Sequence, residues 1–216
     1  MFADRTAAGQ ALAERLAPLI TGPCVVAPIP RGGVTVALPI VARLRAPLAM
    51  VYARKLSAAI APELAFGALD EDGQIVTEPG TVAELGLTPA DIEKARVRVS
   101  AEIRRRMSLY RVAPLAKFLP GRAVVLVDDG LATGLTMRAA LAYARRHGAT
   151  EITVAVPCAA TPAAEHFERA ADRFLSLIVD PAFMAVGAYY RDFSPVSDEA
   201  VVAMLAEAER HAEAGR

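Results

Sequence analysis

Two adjacent carboxylates, Asp128 and Asp129, follow the aliphatic run Val124 to Val127 and precede a short stretch holding Gly130, Thr133, Gly134 and Thr136. Such an aliphatic run reads as a buried parallel strand, and Met137 to Arg146 reads as a helix, so the acids end a strand and the Gly/Thr loop opens a helix. The amides of Leu131, Ala132, Thr133, Gly134, Leu135 and Thr136 then lie in the loop and first helical turn. Unsatisfied N–H donors and the positive end of a helix dipole favour a phosphate dianion there. Gly134 lets the backbone approach the anion closely, and the hydroxyls of Thr133 and Thr136 add donors. A plain helix cap needs one acceptor, which two acids followed by Thr-Gly-x-Thr exceed.

Three further groups carry charge or flat apolar surface. Pro30-Arg31-Gly32-Gly33 follows a strand-like run and precedes a helix starting near Val34. Adjacent glycines let consecutive amides face one anion, and Arg31 adds a delocalised charge suited to phosphate. Arg54 and Lys55 end another strand-like run, where cations serve an anion or a solvated strand end. Between Phe183 and Phe193 stand four aromatics, with Val186, Tyr190 and Asp192 among the residues of this cluster. Aromatics so placed serve as core, as dimer contacts or as a platform for a planar base, and a homodimer is therefore one open reading.

The stretch Asp128 to Met137 resembles the 5-phosphoribosyl-1-pyrophosphate (PRPP) motif of type I phosphoribosyltransferases, most closely that of the adenine enzymes. The resemblance implies that Leu131, Ala132, Thr133, Gly134, Leu135 and Thr136 seat the 5-phosphate. It implies that Asp128 and Asp129 are catalytic, taking two vicinal ribose hydroxyls and helping to hold an oxocarbenium-like ring as pyrophosphate leaves. Arg31, Gly32 and Gly33 are similar to the pyrophosphate loop of xanthine and hypoxanthine-guanine enzymes. Arg54 and Lys55 are similar to the pair that orotate and adenine enzymes place against pyrophosphate. Phe183, Val186, Tyr190 and Asp192 are similar to the acceptor segment of hypoxanthine-guanine enzymes. Gly130 stands where the family usually has a larger aliphatic residue, which is expected to loosen the loop without removing a donor. Ala132 replaces the Asp that handles a 6-oxopurine proton, and Leu56-Ser57-Ala58 breaks the orotate pattern, so the acceptor base stays open.

What the resemblance implies as a whole is a phosphoribosyltransferase, a pentosyl-transferring enzyme of nucleotide metabolism. Its partners would be PRPP and a small-molecule nitrogenous acceptor such as a nucleobase. Its cofactor would be Mg2+, carried by PRPP and approached by Asp128, Asp129 and Asp192. The alternative is a non-catalytic PRPP-binding regulator of the same fold acting on RNA or DNA.

Elements that could position these residues alternate along the chain, which predicts an α/β protein with a mainly parallel sheet flanked by helices. Strands are expected at Cys24 to Ile29, Leu48 to Ala53, Ala123 to Val127, Ile152 to Val156 and Phe174 to Val179. Helices are expected at Thr6 to Leu16, Val34 to Leu44, Leu135 to His147, Pro162 to Ala171 and Asp198 to Ala212. Between Lys55 and Gly121 the alternation breaks. Phe66 to Val76 reads as a hairpin about Asp70-Glu71-Asp72-Gly73, and Thr88-Pro89-Ala90-Asp91 caps a long helix reaching about Tyr110. That helix carries an apolar stripe of Ile92, Ala95, Val99, Ile103, Met107 and Tyr110. Lys94, Arg96, Arg98, Arg104, Arg105 and Arg106 are read as its solvated face. One domain over residues 1–216 is expected, with the core at about 22–56 and 119–180, an insert at about 57–118 and a hood from 1–20 and 181–216. The resemblance places a mobile lid within Pro62 to Lys117.

The 216 residues carry 24 Lys plus Arg against 24 Asp plus Glu, so no overall field attracts nucleic acid or an acidic membrane. The apolar run Val34 to Val41 is short and contains Pro39, and Met1 to Arg5 lacks a signal-peptide pattern, so a cytoplasmic location is expected. Cys24 and Cys158 sit in or beside aliphatic runs as buried thiols, and His147, His166 and His211 are assigned to no metal.

Overall fold

The computed structural model describes residues 1–58 and 60–214, with side chains throughout except at Glu209 and residues 211–214. Ala59, Gly215, Arg216 and the side chain of His211 lie outside the described residues. Along the chain run α1 (Arg5–Leu16), β1 (Cys24–Pro28), α2 (Gly32–Leu44), β2 (Arg54–Ala58), β3 (Ala61–Leu69), β4 (Ile75–Thr77), α3 (Pro79–Glu84) and α4 (Pro89–Tyr110). They are followed by β5 (Ala123–Val127), α5 (Leu135–Arg146), β6 (Ile152–Ala160), α6 (Thr161–Ala170), β7 (Arg173–Asp180) and α7 (Asp198–Ala214).

Aliphatic runs that are apolar on both faces can be satisfied only in a sheet covered on both sides, and such sheets are parallel. Accordingly β1, β5, β6 and β7 form one sheet in that order, every pair parallel, with Val25, Val26, Val125 and Leu126 fully buried. The register brings Pro28 beside Val127, so the loops after β1 and β5 leave the same sheet edge as neighbours. Ligands on parallel sheets bind at this carboxyl end.

The segment Leu48 to Ala53 departs from expectation. It runs beside β1 with a bridge from Val26 to Leu48, and the Ala49 N–H donates to the Val26 carbonyl at 3.0 Å, without becoming a regular strand. Its residues from Ala49 on are buried, which accounts for the aliphatic pattern. The regular strand starts later, at Arg54, and belongs to a second, antiparallel sheet of order β2-β3-β4. The expected hairpin is the β3–β4 turn, where the Asp70 carboxylate accepts from the backbone N–H groups of Asp72 and Gln74 at 3.0 and 2.9 Å. That turn is fastened to the far end of α5 by Arg146 on Asp70 at 2.5 Å and His147 on Asp72 at 2.8 Å.

Helix α4 starts at the predicted capping box, with the Thr88 side chain and the Asp91 side chain satisfying each other's backbone N–H. Ala95, Val99, Ile103 and Tyr110 bury against Tyr52, Leu56 and Phe66 and against Val201 and Leu205 of α7. Arg106 does not belong to a solvated face: it is 8% exposed and lies on the buried stripe. The N-terminal residues pair with the segment that precedes α7, where the Phe2 N–H donates to the Tyr189 carbonyl at 2.8 Å and the Arg191 N–H to the Phe2 carbonyl at 2.9 Å.

Candidate functional site

Strand β5 delivers Asp128 and Asp129 to the carboxyl end of the parallel sheet, and the loop after them enters α5 at Leu135. Gly134 caps that helix at φ +71°, in the left-handed region that glycine adopts without strain. A Cβ on Gly134 would also lie 2.7 Å from the Phe167 ring, so close approach and conformation both demand glycine. Residues 128–137, Lys55 and Val186 line a cleft of about 140 Å³. The acid pair, the loop from Leu131 to Thr136 and one cation therefore share one opening. Contrary to expectation Leu131 has no amide to offer an anion, because its N–H donates to the Cys158 carbonyl at 2.9 Å, which extends the pairing of the loop with β6. A larger cleft of about 340 Å³ lies at the far end of β2, between Ser57, Leu87, Ala95 and Arg98, and holds neither of the two acids.

The two carboxylates differ in surroundings. Burial, followed by the neighbouring charge of Asp129, pushes Asp128 well above the usual carboxylate range, while Lys55 pulls the other way. The Asp128 carboxylate accepts the Asp129 backbone N–H at 2.8 Å. Asp129 instead forms an ion pair with Arg5, Oδ2 to Nε 2.8 Å, with side-chain exposures of 17% and 11%. The Asp129 carbonyl accepts the Tyr190 hydroxyl at 2.6 Å. Cys158 lies beside the pair with its thiol pushed up to about 12 by burial and by the two acids, which keeps it protonated and poorly nucleophilic.

The early glycine loop packs directly on these acids. A Cβ on Gly32 would fall 1.9 Å from the Asp129 Oδ2, and one on Gly33 would fall 2.8 Å from the Val127 carbonyl oxygen. Both glycines are thus required by the contact between the two loops. The Pro30–Arg31 peptide is cis. Arg31 itself lies outside the lining of the cleft; its guanidinium is 39% exposed and 3.8 Å from Asp198 at the start of α7.

Arg54 and Lys55 part company because successive strand residues point to opposite faces. Lys55 lines the cleft, whereas Arg54 turns to α4 and pairs with Glu102 at 3.1 Å. Glu102 also takes Arg105 at 2.7 Å and Arg106 at 3.1 Å, and Asp198 takes Arg105, Arg106 and the Tyr110 hydroxyl. The structure thus does not bring Arg54 to the acids.

Of the four acceptor-side candidates, Val186 alone lines the cleft. It explains Gly130, whose hypothetical Cβ would lie 2.6 Å from Val186 Cγ1 and 2.8 Å from Cys158 Sγ. Gly130 therefore does not loosen the loop; it makes room for a side chain arriving from the C-terminal segment. Phe183 stacks on Tyr189 with centroids 4.9 Å apart, and Tyr190 is buried beneath the loop. The Asp192 carboxylate accepts the Ser194 N–H and hydroxyl at 2.9 and 2.6 Å and is not among the residues that line the cleft. Arg5 is the site residue that sequence reasoning missed. It stands at the start of an ordinary helix 124 positions from its partner, and no local pattern marks it.

A model of the phosphoribosyl transferase domain matches residues 5–193. "Putative phosphoribosyl transferase Rv0571c" of Mycobacterium tuberculosis is 42% identical over 216 residues, which is all of this chain and 49% of that protein. The chain thus spans about half the length of the curated relatives it matches. Among solved structures, TT1426 from Thermus thermophilus is 42% identical with a TM-score of 0.78, over 95% of this chain and 98% of that one. The AQ2163 protein from Aquifex aeolicus shares the fold at 15% identity and a TM-score of 0.51, over 82% of this chain and 74% of that one.

Proposed function

The chain belongs to the phosphoribosyl transferase domain family, and from that premise we propose that its cleft transfers ribose 5-phosphate from PRPP to a nitrogenous acceptor, a nucleobase. The bond from the anomeric carbon to pyrophosphate breaks with its electron pair going to pyrophosphate. The acceptor nitrogen then forms the new C–N bond and releases its proton. The observation that carries this reading is the gathering of the acid pair, the amide loop 131–136 and Lys55 on one cleft.

In this reading the amides from Ala132 to Thr136 and the hydroxyls of Thr133 and Thr136 hold the 5-phosphate at the start of α5. Asp129, paired with the adjacent Arg5 guanidinium, accepts a ribose hydroxyl, and Lys55 stands on the leaving-group side. Val186 and Gly130 bound the remaining wall, on the acceptor side. Two carboxylates without a third acidic ligand fit Mg2+, which binds through one or two carboxylates and completes its shell with waters and substrate phosphates. When bound, the ion would neutralise charge on the departing pyrophosphate. Asp192 is committed to Ser194 and is not included in that set.

The test is pyrophosphate release from PRPP and Mg2+ across a panel of purines, pyrimidines and small amines. Acceptor-dependent release by the full chain supports the reading. Tight PRPP binding with no release by any acceptor would replace it with a sensor role.

A further inference from the structure

We infer that Arg5 is a positioning residue for the ribose-binding acid: it fixes Asp129 and ties that acid to the N-terminal helix α1 and to the segment Phe193–Ser194 before α7. The inference rests on the PRPP reading of the cleft. Three contacts hold the Arg5 guanidinium. Nε donates to Asp129 Oδ2 at 2.8 Å, NH1 donates to the Ser194 carbonyl at 2.9 Å, and its carbon lies 3.7 Å from the centre of the Phe193 ring. Arg5 is 9% exposed and is absent from the lining of the cleft, so it acts on ligand only through Asp129.

The arrangement is specific to a guanidinium. A planar cation can lie flat on Phe193 while sending N–H groups in two fixed directions, and an ammonium cannot do both. With Oδ2 engaged, the carboxylate keeps its other oxygen for a ligand hydroxyl. Gly32 closes the same corner, since a Cβ there would lie 3.0 Å from Arg5 Nε as well as against Asp129. Three hydrogen bonds at the Asp129 backbone complement the side-chain contact: the Tyr190 hydroxyl and, at 3.9 Å, the Cys158 thiol donate to its carbonyl, and its N–H goes to Asp128. Asp129 is therefore held from the N-terminal helix, the C-terminal segment and the first glycine loop together.

Binding of two half-ligands, ribose 5-phosphate and pyrophosphate, each with Mg2+, is measured by calorimetry on the full chain carrying Arg5→Ala, Arg5→Lys or Phe193→Leu. A charge-assisted contact predicts that Arg5→Ala weakens ribose 5-phosphate by about tenfold or more and leaves pyrophosphate within about twofold. Millimolar methylguanidinium restores ribose 5-phosphate binding to Arg5→Ala, and Arg5→Lys recovers less than this. Phe193→Leu, which keeps the charge and removes the ring, produces a smaller loss confined to ribose 5-phosphate; it tests the inference even where Arg5→Ala does not fold. Equal losses for both half-ligands, or no loss for either, would overturn the positioning role. Wild-type protein that binds neither half-ligand would overturn the PRPP reading instead.

Discussion

Gly130 and Val186 show how one missing methyl group can be decided from far along the chain. An added Cβ at 130 would overlap Val186 Cγ1 and Cys158 Sγ. Gly130→Ala is therefore expected to cost about 1–3 kcal/mol by overpacking. Combining it with Val186→Ala should recover part of that loss, the overlap with Cys158 remaining, and denaturant titrations of the four proteins in the cycle measure the coupling. Additive losses would mean that the two residues do not share the space. Asp129→Asn removes both a charged acceptor and the partner of Arg5, so PRPP affinity should fall more than about tenfold by calorimetry. Thr136→Val removes a single donor and should weaken PRPP less. Arg54 and Lys55 provide a paired test: Lys55→Ala should weaken pyrophosphate several-fold, and Arg54→Ala, facing Glu102, should leave it nearly unchanged.

At the scale of elements, Glu102 fastens α4 to β2 and to its own following turn. Its carboxyl is held at about 2, chiefly by the hydrogen bond from Arg105, with Arg54 and Arg106 adding charge. A carboxylate whose value is lowered on folding contributes stability that is present above its ordinary value near 4.5 and is lost as pH falls toward 2. Thermal midpoints of the wild type should thus drop through that acid window, and Glu102→Gln should be less stable at neutral pH with a flatter acid limb. Equal slopes for the two proteins would show that the clamp carries no net stability. The β3–β4 turn works similarly on α5, since Asp70 and Asp72 grip Arg146 and His147 at the end opposite to the amide loop. Both ends of α5 are thereby occupied, one by the hairpin and one by the cleft.

For the molecule as a whole, the balance of charge has a local counterpart. Arg96, Arg105 and Arg106 of α4 are paired with acids, whereas Arg98 donates to the neutral Ser57 carbonyl, so ion pairing offsets only part of the positive charge of a helix in a chain whose charges balance overall. The chain is expected to elute from immobilised double-stranded DNA at physiological ionic strength, without the steep salt dependence of phosphate-neutralising proteins. Salt-dependent retention abolished by Arg104→Ala would instead favour nucleic-acid binding. No helix among the described residues is long and apolar enough to cross a membrane.

The amino-acid sequence by itself determined the parallel sheet, the capped α4, the hairpin about Asp70 to Gly73 and the loop that follows Asp128 and Asp129. Each rests on local periodicity or on turn and cap chemistry carried by neighbouring residues. It also singled out Lys55, which lines the cleft, and the glycines of the first loop, which lie outside that lining and whose missing side chains are accounted for by contact with Asp129, Val127 and Asp128. Only the tertiary structure decided that Arg54 faces α4, that Tyr190 supports the Asp129 carbonyl, and that Val186 fills the space over Gly130. Arg5 belongs to the same group. These contacts join residues separated by tens to more than a hundred positions, as Arg5 and Asp129 are by 124, and no spacing within one element encodes which side chains the packing of helices and strands will bring together.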